Sequence, residues 1–299
     1  MFPIIPANTL TVVSGNQEGI FGYGHIGSDV GMTNLVSNTG VVSSDVSIVG
    51  TARDSLDATQ YGEDKGIFGY GSTATVCSIT NLVSNTGVVS SDQAAATGTA
   101  RYALGACSYG EDKGIFGYGG WPALSMTNLV SNTGVVGDDV TGVGTARAGS
   151  AACEYGEDKG IFGYGYSGSQ ESVTNLVSNT GVVSSDVAGV GTARNGLAAC
   201  SYGGDKGIFG YGNVSGNWSM TNLVSNTGVV SSDVAGVGTG RESLAATQYG
   251  GDKGIFGYGY YCANCYVSVT NLVTNTGVVG DDVTGVGTAR FGAAGCSFN

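Results

Sequence analysis

The sequence predicts an all-β protein, a single six-bladed β-propeller spanning residues 1–299, and three repeated strings predict it. Gly-Ile-Phe-Gly-Tyr-Gly occurs six times, with its isoleucine at Ile20, Ile67, Ile115, Ile161, Ile208 and Ile255, at spacings of 47, 48, 46, 47 and 47 residues. Thr-Asn-Leu-Val-(Ser/Thr)-Asn-Thr-Gly-Val-Val also occurs six times, beginning at Thr33, Thr80, Thr127, Thr174, Thr221 and Thr270. A third block ends six times in arginine, at Arg53, Arg101, Arg147, Arg194, Arg241 and Arg290. A fixed period of this length marks a repeat architecture in which each copy buries its apolar face against the next.

One copy, residues 194–241, shows the elements in order. Residues 197–202 are small and apolar and read as a first strand. Gly203-Gly204-Asp205 is a turn signal, and residues 206–211 form a second strand with glycines where another backbone must come close. Residues 212–219 are a polar loop, and residues 220–225 a third strand ended by Asn226-Thr227-Gly228. Val229-Val230 opens a fourth strand that runs out toward Gly238. Glycine recurs too often for helices, and no stretch carries a helical period. Four antiparallel strands in 46–48 residues is the arithmetic of a propeller blade. Closing six blades into a ring removes most exposed sheet edges.

Two segments compete to complete the first blade. Residues 291–298 repeat the pattern of the first strand with nothing after them, and residues 10–14 occupy the same offset before Ile20. The C-terminal segment keeps the unit's pattern, so it is expected to pair beside residues 19–24 and close the ring.

Composition narrows the function classes. The 55 glycines follow no three-residue period, which excludes collagen. No apolar run approaches a bilayer span. With 23 acidic against 11 basic residues the net charge is −12, so nucleic acid is not the expected partner. His25 is the single histidine, which rules out multi-histidine sites within one chain. Residues 1–6 are too short and Pro-interrupted for a secretory signal, so the sequence assigns no compartment. It assigns no oligomeric state either.

The unit resembles the Kelch repeat. Arg194, the small strand at 197–202, Ile208-Phe209-Gly210-Tyr211-Gly212, the loop, the third strand and the run from Val229 to Arg241 follow that rhythm. Two features depart from it: Gly-Tyr-Gly replaces the double glycine, and Val-Val stands where the fourth-strand tryptophan would be. The near-identical copies also resemble repeat arrays in predicted proteins of phages and uncultured microbes.

The loops between second and third strands are where the copies differ, at residues 25–31, 72–78, 120–125, 166–172, 213–219 and 260–268. A near-constant frame carrying six different loops suits a binding surface. Trp121, Trp218, Tyr166, Tyr260 and Tyr261 are the candidate ligand contacts, since aromatic faces stack on sugars or anchor a protein partner. The six arginines have two readings. They form a cationic ring that binds an anionic group, or each pairs with a repeat aspartate or with backbone carbonyls inside the frame.

Cys107, Cys153, Cys200 and Cys296 share one repeat position that is threonine in other copies, so they read as small core residues. Cys262 and Cys265 read as a loop disulfide or two free thiols in preference to a metal site. Asn213 and Asn217 match the glycosylation sequon. No catalytic set, metal or cofactor is expected. Asp138-Asp139 and Asp281-Asp282 fall at repeat positions on opposite strand faces. The expected function is non-catalytic, lectin-like recognition of a glycan or surface protein. The alternative is a structural role in a virion or cell-surface assembly.

Overall fold

A computed structural model describes residues 17–47, 50–94 and 98–298. Among the described residues there is no helix, and the strands form six antiparallel sheets, an arrangement consistent with a β-propeller. The first sheet contains β1 (Gly19–Gly22), β2 (Met32–Val36) and the short β3 (Val46–Ser47). The second contains β4 (Asp57–Tyr61), β5 (Lys65–Gly69) and β6 (Thr80–Val83), and the third β7 (Gly105–Tyr109), β8 (Lys113–Gly117) and β9 (Thr127–Val130). The fourth contains β10 (Ala151–Tyr155), β11 (Lys159–Tyr166) and β12 (Gln170–Val177), and the fifth β13 (Ala198–Tyr202), β14 (Lys206–Gly210) and β15 (Thr221–Val224). The sixth contains β16 (Ala245–Tyr249), β17 (Lys253–Gly257) and β18 (Thr270–Val273).

The last strand, β19 (Ala294–Ser297), returns to the first sheet. It pairs antiparallel with β1, Gly19 opposite Ser297 and Gly22 opposite Ala294. The competing segment at residues 10–14 lies outside the described residues.

The expected fourth strand is largely missing as a regular element. Outside β3, the segment touches its neighbour only through single bridges such as Val224 to Val230 and Thr221 to Val234. A few backbone bonds remain, such as the Ser231 amide to Leu223 O and the Val234 amide to Thr221 O, both at 2.8 Å, and side chains supplement them. Asn222 Nδ2 donates to the Ser231 carbonyl at 3.0 Å and to Asp233 Oδ1 at 2.9 Å, and the Leu223 amide donates to Ser231 Oγ at 2.9 Å. With its polar groups met this way, a glycine-rich segment gains little from strand geometry.

Successive sheets interlock through glycine. A Cβ on Gly210 would lie 2.6 Å from Phe256 Cζ of the next sheet, and one on Gly207 would lie 2.4 Å from Cys153 Sγ of the preceding sheet. The first pattern recurs at every boundary, including Gly257 against Phe21, between the sixth and first sheets. Both the Phe rings and the isoleucines beside them are fully buried, each contributing roughly 2–3 kcal/mol. The four repeat cysteines are buried and free, and burial pushes their thiols up, which makes them inert packing groups.

Backbone hydrogen bonds join the entrances of the inner strands. Ser55 N donates to Gly292 O, Ala103 N to Ser55 O, Gly149 N to Ala103 O, Gly196 N to Gly149 O, Ser243 N to Gly196 O, and Gly292 N to Ser243 O, all at 2.7–3.0 Å. The sixth bond returns to the residue that accepted the first.

At the opposite ends of these strands the hairpin turns are also linked in succession. Gly62 N donates to Asp112 O at 2.8 Å, and the sixth sheet's Gly250 N donates to Gln17 O at 2.8 Å. The turn lysines pair with their neighbouring aspartates, as in Lys206 Nζ to Asp205 Oδ1 at 2.7 Å.

Candidate functional site

The constant polar residues of each copy form one internal network. In the fifth sheet Arg194 is fully buried. Its Nε donates to Tyr211 O at 2.7 Å, Nη1 to Thr192 O at 3.0 Å and Nη2 to Asn222 Oδ1 at 2.7 Å. Its guanidinium lies 4.3 Å from the ring centre of Tyr164, in the preceding sheet. Asn222 in turn donates to Asp233, which accepts the Thr192 amide and hydroxyl. The same stacking recurs at all six boundaries, from Arg53 over Tyr23 to Arg290 over Tyr258. In the first sheet the chain's two ends supply the parts: Arg290 donates to Tyr23 O and Asn34 Oδ1, and Thr288 to Asp45.

The electrostatics follow from this geometry. Burial alone would raise the carboxyls of Asp45, Asp92, Asp139, Asp186, Asp233 and Asp282. The bonds from threonine and asparagine, with arginine nearby, outweigh it and hold all six below the usual carboxylate value. Burial pushes the Tyr164 and Tyr211 hydroxyls up to about 12. The six Gly-Tyr-Gly tyrosines adopt the left-handed backbone, φ 62–65°. That conformation costs a non-glycine residue about 1–2 kcal/mol. In five of the six sheets, the fourth excepted, it presents the carbonyl to the arginine of its own sheet, and in all six the ring to that of the next.

Arg53, Arg101, Arg147, Arg194, Arg241 and Arg290, candidate ligand contacts in the sequence, are therefore at most 1% exposed and bonded within the frame. No cationic ring faces solvent at these positions, which leaves the internal-pairing reading.

The variable residues gather elsewhere. The first residue of each loop pairs with the residue directly after an arginine, as in His25 with Phe291, Ser72 with Asp54, Tyr166 with Ala148, Asn213 with Asn195 and Tyr260 with Glu242. The third copy does the same through Gly120 N donating to Tyr102 O at 2.7 Å. Sequence reasoning passed over these post-arginine positions, although six constant arginines followed by Asp54, Tyr102, Ala148, Asn195, Glu242 and Phe291 are a visible signal.

Loops of neighbouring sheets also meet, so they share one face. Trp121 stacks on Tyr166 with centroids 6.2 Å apart, and Tyr260 and Tyr266 pack on Phe291 at 5.1 and 5.2 Å. Asn213 Nδ2 donates to Glu242 Oε1 at 2.9 Å, and Asn217 Nδ2 to Tyr260 O at 3.1 Å. The amides of both sequon asparagines are thus occupied within the face. His25, Asp29 and Asp54 meet between the first and second sheets, with Nδ1 of His25 2.8 Å from Asp29 Oδ1. Burial, then the Asp29 charge, pushes the Asp54 carboxyl up to about 6.

Among the sequence candidates, Trp121 is 67% exposed, Tyr261 49% and Trp218 48%, while Tyr166 and Tyr260 are half-buried. Cys262 and Cys265 form a disulfide at the tip of the sixth loop.

Further concave space lies along the inner strands. A cavity of about 120 Å3 is lined by Leu56, Asp57, Leu104, Leu197 and Leu244 among others, and one of about 170 Å3 lies at the hairpin-turn end, lined by Glu111, Glu154, Glu157 and Lys206 among others. Each is smaller than ligand pockets of about 300 Å3 or more, a size that suits waters. Asp57 and Glu154 line this passage, and burial pushes each carboxyl up to about 7.

The chain matches no protein-family model and no curated protein.

Proposed function

We propose that the protein is a six-bladed, Kelch-like β-propeller, closed by its C-terminal strand, that binds a glycan or a surface protein without catalysis. One observation carries the reading. The constant polar side chains at the centre of each copy are consumed inside the frame, while the residues that differ between copies collect on one face, at the boundaries between sheets. A rigid scaffold with non-equivalent contacts is the arrangement recognition requires. The exposed aromatics Trp121, Trp218 and Tyr261 supply stacking area, with Tyr166 stacked against Trp121 and Tyr260 packed on Phe291. The cycle of inner-strand bonds and the return of β19 to β1 support the closed ring.

The test is a broad glycan and surface-protein array probed with the full chain and a Trp121→Ala/Trp218→Ala variant. The reading expects a hit that the variant loses at unchanged melting temperature. A hit retained by the variant would remove these aromatics from the site.

A specific observation favours a second reading, assembly into a larger structure. The first valine of each Val-Val pair is 61–67% exposed in every copy, at Val41, Val88, Val135, Val182, Val229 and Val278. These valines border the irregular segment after the third strand, and six exposed apolar side chains at equivalent positions offer a repeated contact surface. Light scattering across concentration separates the two: assembly predicts ordered oligomers that Val→Thr changes at these positions abolish.

A further inference from the structure

We propose that His25, Asp29 and Asp54 form a binding site for a divalent transition-metal ion of the zinc kind, at the boundary between the first and second sheets. One ring nitrogen and one oxygen from each carboxylate lie within 4.8 Å of one another. His25 and Asp29 are bridge partners across a tight reversal, so their side chains stand on the same side. Asp54 arrives from the second sheet, directly after Arg53.

The donors sit on a held frame. His25 N donates to Phe291 O at 2.8 Å, Ile26 N to Ser28 O at 3.0 Å and Val30 N to Gly24 O at 2.9 Å. The imidazole packs on Phe291 with centroids 5.3 Å apart. A ligand set fixed by its own loop loses little entropy on binding.

The repeat supplies an internal comparison. At the boundary between the fifth and sixth sheets, Asn213, Asn217 and Glu242 occupy the positions of His25, Asp29 and Asp54. There a neutral amide answers the single carboxylate directly, Asn213 Nδ2 to Glu242 Oε1 at 2.9 Å. At the first boundary the same scaffold holds two carboxylates and one imidazole. Among the described residues, Asp29 meets the His25 ring nitrogen and no lysine or arginine, and Asp54 makes no ion pair. A cation placed among the three supplies the missing positive charge.

Ligand chemistry selects the ion. An imidazole nitrogen favours zinc and its neighbours over calcium and magnesium, which take oxygen ligands. Zinc holds nitrogen and carboxylate oxygen at about 2.0–2.2 Å, so small side-chain rotations close the set. Three protein ligands leave a coordination position open on the loop face, for water or for an oxygen of a bound molecule. The site stands independently of what the aromatic residues bind.

The experiment is calorimetric titration of chelator-treated full chain with Zn2+ and, separately, Ca2+, under non-reducing conditions that keep Cys262 and Cys265 joined. The expected result is one equivalent of zinc per chain, a rise in melting temperature with zinc, and no stoichiometric calcium uptake. Asp54→Asn and His25→Gln, each folded by circular dichroism, are expected to weaken zinc binding by roughly 100-fold or more and to lose the zinc-dependent rise. Absence of stoichiometric zinc uptake by the parent, or uptake unchanged in both folded variants, would overturn the proposal.

Discussion

Replacing Arg194 by methionine separates a structural arginine from a ligand-binding one. The change keeps apolar bulk but leaves Tyr211 O, Thr192 O and Asn222 Oδ1 without their donors and the Tyr164 ring without its cation. A hydrogen bond from a charged donor contributes about 1.5–3 kcal/mol, and a desolvated cation–π contact about 2 kcal/mol. Against these stands the recovered cost of burying the guanidinium, several kcal/mol. The balance falls near the loss of about 3–5 kcal/mol seen when one partner of a buried ionic network is removed. At roughly 2 °C per kcal/mol for a chain this large, the melting temperature should fall by about 6–10 °C. Urea unfolding followed by circular dichroism reads the loss, with Lys206→Met as control. Lys206 is a half-exposed residue at the start of β14 whose ammonium pairs with Asp205, and its loss should stay within about 0.5 kcal/mol. An Arg194→Met loss below about 1 kcal/mol, or a binding defect at unchanged stability, would refute the network argument.

Further outcomes follow from the same geometry. Gly210→Ala sets a methyl group 2.6 Å from the fully buried Phe256 ring, which has nowhere to retreat, and should cost about 1–3 kcal/mol in the same assay. Asp57 and Glu154 give the fold a pH dependence whose sign is fixed. Their folded values of about 7 lie above the ordinary carboxyl values of 3.8 and 4.5, so between these limits the folded chain holds protons that the unfolded chain releases. They therefore make stability fall as pH rises from about 4 to about 7, then level off. Asp57→Asn/Glu154→Gln should flatten that slope and raise stability at pH 8 by roughly 2 kcal/mol, channel water screening part of a larger shift. A slope unchanged by the double substitution would show that neither carboxyl is held neutral.

The repeat rhythm made much of the fold legible. Exact recurrence of Gly-Ile-Phe-Gly-Tyr-Gly located every second strand, and the C-terminal copy of the first strand pointed to its pairing with β1. The fourth strand was misread because Val-Val followed by Ser-Ser-Asp has strand-like valines. Its hydrogen bonds are shared between isolated backbone bridges and the Asn222 and Ser231 side chains, which no local pattern reveals. The arginines could be read either way, since a solvent-facing ring and a buried ladder have the same sequence. Only the left-handed tyrosines, which set each ring beneath the next arginine, decide between them. The grouping of His25, Asp29 and Asp54 joins a loop to a residue from the following copy, a proximity created by packing.

Native-state hydrogen exchange of the C-terminal segment tests the closed frame most directly. Residues 292–297 carry two bonds of the inner cycle, through the amide and the carbonyl of Gly292, and the full pairing with β1. Their amides should be protected to the same degree as those of β13, far beyond a fraying terminus, and open only with global unfolding. Rapid exchange there, with β13 still protected, would contradict it.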